Sequence, residues 1–267
     1  MPPATSSKPF TILIPARLAS TRLPDKPLAD IAGKPMIVRV AEQAARSAAA
    51  RVVVATDSSA IADAVRQGGF EVVMTRSDHS SGTDRLAEAA GLLRLPDDAI
   101  IVNMQGDEPE LPPELLDELA CCLDQDEQCQ MATAAHVIDQ VRDWLNPNVV
   151  KVVLDSQRRA LYFSRAPVPY HRDGLRQAAS DPDGGEARQS LARTRPLRHI
   201  GVYAYRGSFL KAYSQMPPSD LEAVEALEQL RVLFHGYPIK VVIADQAPAA
   251  GIDTPDDLAA VRRRFHA

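Results

Sequence analysis

The sequence predicts an α/β fold: a mostly parallel sheet flanked by helices, with a smaller antiparallel hairpin section. Three observations carry that expectation. A strand–loop–helix rhythm repeats four times between Phe10 and Cys122, the pattern of parallel strands joined by crossover helices. From about Met131 the rhythm changes to strands joined by turns. A polar cluster follows each of the first four strands, and in such sheets ligands bind beyond the carboxyl ends of the strands.

Taken in order, the first strand is Phe10 to Ile14, and it breaks at Pro15. Pro24 and Pro27 forbid a continuous helix in the loop that follows, since proline lacks an N–H and restricts the residue before it. Asp30–Gly33 reads as a turn. Met36, Ile37, Val40, Ala41 and Ala44 recur at helical spacing within a helix from about Pro35 to Ala48, and Pro35 suits a first helical position. Arg51 to Ala55 is a β-branched strand. Thr56–Ser59 then caps a helix from Ala60 to Gln67, which Gly68-Gly69 ends. A strand at Phe70 to Met74 leads through Arg76–Asp84 into a helix reaching Leu93. The strand Ala99 to Met104 precedes a helix from Pro113 to Cys122.

Beyond Met131, strands are expected at Met131–Val137, Val149–Leu154 and Ala160–Phe163. No helix separates the second from the third, so antiparallel pairing is expected there. His171 to Pro196 has little apolar content and reads as a long surface excursion. A strand from His199 to Arg206, one amphipathic helix from Leu221 to Phe234, a strand from Ile239 to Ala244 and a helix from Thr254 to Phe265 complete the chain.

At 267 residues with 45% hydrophobic and 24% charged content, the chain can bury a full core. Its net charge of −5 argues against a dedicated nucleic-acid binder. No apolar run approaches the ~20 residues of a membrane span, and the N-terminus lacks a secretory apolar stretch. Cys121, Cys122 and Cys129 lack metal-ligand spacing and read as reduced packing thiols, which places the protein in the cytoplasm.

The polar clusters carry the chemistry. On an acidic chain, Arg17, Arg22 and Lys26 gather in one loop and call for a small polyanion such as a nucleoside triphosphate. Asp107, just past an apolar strand, is placed to ligate Mg²⁺, a hard cation that binds through one or two carboxylates plus phosphates. Near the C-terminus, Thr254, Pro255 and Asp257 account for a helix start, which leaves Asp253 as a second metal candidate. No Walker or dinucleotide glycine pattern is present. Ser80-Ser81-Gly82-Thr83 at a helix start offers small residues and free amides suited to a base or a phosphate, and it equally suits ordinary capping.

The strings IPARLASTRLPDKPL, VVVATDS, TRSDHSSGTDRLAEA, IVNMQGDEPE, NPNVVKVV, YFSRAPVPY, RHIGVYAY, LEQLRVL and GIDTPDDL resemble the 3-deoxy-manno-octulosonate cytidylyltransferases, in order across nearly the whole chain. The resemblance implies a Rossmann-like nucleotidyltransferase fold. It further implies a single domain over 1–267 with a smaller sugar-binding and dimerisation subregion at about 131–210. It implies transfer of CMP from CTP to the anomeric hydroxyl of the sugar acid Kdo, Mg²⁺, a homodimer and a role in lipopolysaccharide synthesis. By position, Arg17 and Lys26 would hold the triphosphate with Arg22 close by, and the Arg76–Gly82 loop, including Ser81, would receive the cytidine. Asp107 and Asp253 would hold the metal; Gln105, Arg165, His199, Tyr203, Glu228 and Gln229 would line the sugar pocket. Asp25 stands where glycine is common before the lysine.

Three rival readings are less consistent with these residues. A cytidylyltransferase for another acidic sugar such as sialic acid is less favoured by YFSRAPVPY and RHIGVYAY. A metal-dependent glycosyltransferase would carry Asp-x-Asp where Gly106-Asp107-Glu108 stands. A non-catalytic nucleotide sensor would not need both Asp107 and Asp253.

Overall fold

The computed structural model describes residues 8–18, 23–79 and 81–265. The chain runs through β1 (Phe10–Ala16), a 3-10 turn (Lys26–Leu28), β2 (Asp30–Ile31), β3 (Lys34–Pro35), α1 (Met36–Ala44), β4 (Arg51–Thr56) and α2 (Ser59–Gln67). Then follow β5 (Glu71–Met74), α3 (Gly82–Leu92), β6 (Ile100–Asn103), α4 (Pro113–Gln125), β7 (Met131–Val137), α5 (Val141–Leu145), β8 (Lys151–Leu154) and β9 (Ala160–Ser164). The last third holds α6 (Leu175–Ser180), α7 (Gly185–Thr194), β10 (Leu197–Arg206), α8 (Gly207–Tyr213), α9 (Asp220–Glu225), α10 (Gln229–Phe234), β11 (Ile239–Ala244) and α11 (Pro255–Phe265).

Two compact units emerge. The first comprises residues 1–125, 202–215 and 248–267; the second comprises 126–201 and 216–247. In the first, β1 pairs in parallel with β4 and β6, β4 pairs in parallel with β5, and the end of β10 runs antiparallel along β6. The mostly parallel sheet predicted from the rhythm is therefore present. Its central strand is apolar on both faces: Ile12, Leu13 and Ile14 are fully buried, as expected when helices cover a parallel strand. Each such side chain contributes about 1.5–3 kcal/mol of burial. α1 turns Met36, Ile37, Val40, Ala41 and Ala44 into the core. Ser58 caps α2 by accepting from Ile61 N, the helix start read from the polar cluster.

In the second unit β11 pairs in parallel with β7, and β8 pairs antiparallel with β9 and β10. The hairpin read at Val149–Phe163 is thus formed.

Two element expectations are corrected. The helix expected over Leu221–Phe234 is two short helices, because Ala226 takes a left-handed conformation (φ 50°) and closes α9 onto Glu222 O. The break leaves Leu221 and Val224 exposed while Leu227 and Leu230 are buried, so the apolar stripe is not one continuous face. Nor is His171–Pro196 a coreless excursion: α6 and α7 lie there, and Leu175 joins Ile138, Trp144 and Val149 in a buried cluster against which Leu191 packs. One leucine per short helix was enough to anchor them.

Candidate active site

In the first unit the carboxyl ends of the strands frame a cavity of about 400 Å³. Pro15, Ala16 and Arg17, at and just past the end of β1, line it together with Lys26 and Pro27. Gln105, Gly106 and Asp107, after β6, line one side with Asp253; His79, Ser81, Gly82 and Arg85 line another.

Gly106 explains how the β6 loop reaches this position. A Cβ there would lie 2.8 Å from Pro15 O, so only glycine lets the loop press against the end of β1. The loop is then fixed by Ile252 N donating to Asp107 O at 2.9 Å, which brings the Gly251–Asp253 segment alongside Asp107.

Three charges from distant parts of the chain meet here. Lys26 Nζ donates to Asp107 Oδ2 at 2.6 Å and to Asp253 Oδ1 at 3.1 Å. Asp25, immediately before, adopts φ 51°, ψ 28°. That left-handed conformation explains why glycine suits the position, and aspartate is among the few other residues that tolerate it. Asp257 Oδ2 accepts from Asp253 N and Thr254 N, and Thr254 Oγ1 accepts from Asp257 N. This is the reciprocal cap read from the sequence, and it fixes the backbone at Asp253 without using that residue's carboxylate.

The donor set fits a hard divalent cation. Two carboxylates from separate loops converge on one positive charge, and the adjacent Glu108 buries an Oε2 with no hydrogen-bond partner among the described residues. Burial, with Asp107 beside it, pushes the Glu108 carboxyl up to about 8. Among the described residues no cluster of three or more His, Cys, Asp or Glu side chains forms a metal cage. A divalent cation such as Mg²⁺ would bind through one or two carboxylates and complete its shell with phosphate and water, and Asp107 and Asp253 are the two carboxylates at this cavity.

On the other side, His79 Nε2 contacts Glu88 Oε2, and Glu88 also accepts from Arg76 N at 2.9 Å. Ser81 accepts from Asp84 N, capping α3. The buried Arg85 guanidinium donates to Thr75 Oγ1 at 2.6 Å and to Asp57 Oδ2 at 3.0 Å.

The structure therefore gathers Arg17, Lys26, Ser81, Gly82, Gln105, Asp107 and Asp253 around one cavity. Arg22 and Ser80 lie outside the described residues. Arg76 does not line the cavity; its side chain is exposed and paired with Asp78 at 3.3 Å. Tyr203 sits on the stretch of β10 in register with Asn103. The remaining expected sugar ligands belong to the second unit. There Arg165 donates to the carbonyls of Glu225 (2.6 Å) and Pro147 (3.0 Å), bracing the α9–α10 break. His199 Nε2 lies 3.0 Å from Thr133 Oγ1, and burial pushes this imidazole down to about 3. It is neutral at physiological pH and far from the basicity of an effective general base. Gln229 is buried, next to Glu228 at the start of α10. His79 lies within the Arg76–Gly82 loop and Asp57 within the Thr56–Ser59 cluster, both expected near the ligand; sequence reading missed Glu88 and Arg85, because their partnerships with His79, Thr75 and Asp57 form only through space.

A family model described as "Cytidylyltransferase" matches residues 11–241. A curated relative, the 3-deoxy-manno-octulosonate cytidylyltransferase of Herminiimonas arsenicoxydans, is 59% identical over 96% of this chain and 98% of its own length. The chain belongs to the 3-deoxy-manno-octulosonate cytidylyltransferase family. Another member, from Neisseria meningitidis serogroup C, is 57% identical over the same shares. Among solved structures, CMP:2-keto-3-deoxy-manno-octonic acid synthetase complexed with CTP superposes with a TM-score of 0.85 at 40% identity, covering 97% of this chain and 99% of that one. A cytidylyltransferase from Leptospira borgpetersenii shares the fold at TM-score 0.57 and 16% identity, over 96% of this chain and 86% of its own.

Proposed function

We propose that this protein transfers CMP from CTP to the anomeric hydroxyl of 3-deoxy-D-manno-octulosonate, forming CMP-Kdo and pyrophosphate for lipopolysaccharide synthesis. The observation that carries this reading is the convergence of Lys26, Asp107 and Asp253 in a cavity also lined by Arg17, in a chain of this family. The sugar oxygen attacks the α-phosphorus, a new P–O bond forms, and the bond to the β-phosphate oxygen breaks with its electron pair leaving on pyrophosphate. The hydroxyl proton passes to solvent. Arg17 and Lys26, with Arg22, bind the triphosphate and neutralise charge that grows on the leaving group. Asp107 and Asp253 are the residues to hold Mg²⁺, which when bound neutralises phosphate charge. Gln105, Arg165, His199, Tyr203, Glu228 and Gln229 are assigned to the sugar. With His199 neutral and weakly basic, positioning supplies most of the acceleration. The protein acts as a homodimer in the cytoplasm. Pyrophosphate release should require CTP, Kdo and Mg²⁺ together; turnover that persists when Kdo is omitted contradicts the assignment.

A further inference from the structure

Lys151, at the start of β8, is fully buried, and neither the proposed reaction nor the packing of the core calls for a lysine there. Its Nζ donates to the carbonyls of Asn146 at 2.8 Å, Val149 at 2.5 Å and Arg165 at 2.7 Å. An ammonium carries three protons and no acceptor, so every proton is used. Burial pulls the group down to about 8, while the Glu225 carboxylate opposes that fall and the Arg165 charge adds to it. At neutral pH it is still largely an ammonium. Taking a charge out of water is costly, and an apolar side chain would fill the space at less cost. What an apolar side chain cannot do is hold three carbonyls at once.

Those three carbonyls converge on Arg165 from two directions. One is the backbone of Arg165 itself. The other two bracket Pro147, whose carbonyl accepts from Arg165 Nη1 at 3.0 Å, and in the same run Val150 O accepts from His199 N at 2.8 Å. Glu225, at the end of α9, completes the cradle. Its Oε2 accepts from Arg165 N at 2.9 Å and its carbonyl from Arg165 Nε at 2.6 Å, while Ala226 O accepts from Nη2 at 3.4 Å. Backbone carbonyls therefore hold three of the five guanidinium N–H groups, and two remain to meet a carboxylate. Arg165 is the one cation among the residues assigned to the sugar acid, and the lysine clasp fixes it at both ends.

We propose that Lys151 is a positioning residue for the sugar: by gathering the Asn146, Val149 and Arg165 carbonyls, its ammonium sets the Arg165 guanidinium in place to receive the carboxylate of the sugar acid. The inference rests on reading the chain as a Kdo-using enzyme.

Steady-state kinetics of the full-length protein, with Kdo and CTP varied in turn in the presence of Mg²⁺, tests it. K151M deletes all three donors and keeps the length of the side chain; K151Q keeps an amide able to donate to two carbonyls. KM for Kdo should rise about 10-fold or more in K151M, the scale of a small misplacement of a binding group, and by less in K151Q. KM for CTP should stay within about threefold of wild type in both. A lysine that only supports the fold would instead lower the active fraction, and with it kcat, at unchanged KM. An unchanged KM for Kdo in K151M, or equal rises for Kdo and CTP, overturns the assignment. If K151M does not fold, K151Q decides: a rise confined to Kdo supports the role, and an unmoved KM or a rise shared with CTP overturns it. Absence of wild-type turnover with Kdo refutes the proposed function and this inference with it; wild-type turnover with KM for Kdo unmoved in the variants refutes this inference alone.

Discussion

Single residues at the cavity were legible to different degrees. Arg17, Lys26 and Asp107 announced themselves as charged residues just past apolar strands, where an α/β sheet exposes its ligand-binding ends. Asp253 was found by elimination, since its neighbours account for the helix start, and the cap geometry supports that reasoning. The His79–Glu88 contact had no local signal: nine residues separate the partners, and only the closing of the β5–α3 loop brings them together. Two substitutions check this scale. D107N should lower kcat roughly 10²-fold or more, the scale of losing one electrostatic stabiliser, with an unchanged thermal midpoint; near-wild-type turnover would remove Asp107 from the chemistry. D25G should relieve the left-handed strain at φ 51°, worth ~1–2 kcal/mol in an ordinary residue, against ~0.5–1 kcal/mol of added chain entropy. Urea denaturation should show a neutral to slightly stabilised protein; a loss above about 1 kcal/mol would contradict the strain argument.

At the scale of elements, periodicity found the strands and long helices but misjudged two places where a single residue decides. Ala226 interrupts a pattern that reads as one helix, since nothing in an alanine announces a left-handed conformation. Leu175 and Leu191 supply apolar anchors too sparse to register in a polar stretch. The cysteine spacing points to packing, and α4 buries Cys121 while Cys129 follows it, also buried. Burial pushes both thiols up, Cys129 to about 11, so neither offers much thiolate at neutral pH. Ellman titration of the native protein should therefore read at most one rapid thiol, Cys122, and three after unfolding. Rapid reaction of two or more would contradict this packing. Asp126 joins β11 to the β8–β9 hairpin through Lys240 (3.2 Å) and Arg159 (3.2 Å). Burial works to raise its carboxyl, but these two cations together hold it below 3.8. A carboxylate with a depressed folded-state pKa stabilises above its unfolded value and loses that contribution as pH falls through the folded one. The stability difference between wild type and D126N should thus be flat at neutral pH and shrink below about pH 4; a difference that grows there would reverse the assignment.

At the scale of the whole molecule, the strand rhythm carried the parallel sheet and the change near Met131 carried the hairpin. Where the two compact units divide was not readable, because β10 contributes residues to both and no linker composition marks the boundary. The described residues contain no helix long and apolar enough to cross a membrane. If the proposed homodimer forms, sedimentation equilibrium should give twice 29.0 kDa; a monomer at micromolar concentration would refute it. The central claim concerns which sugar acid receives CMP in a cavity built from Lys26, Asp107 and Asp253. Phosphorus NMR of reactions holding CTP and Mg²⁺ with either Kdo or sialic acid tests it most directly. The account predicts a CMP–sugar phosphodiester and stoichiometric pyrophosphate with Kdo alone; product with sialic acid and none with Kdo would contradict it.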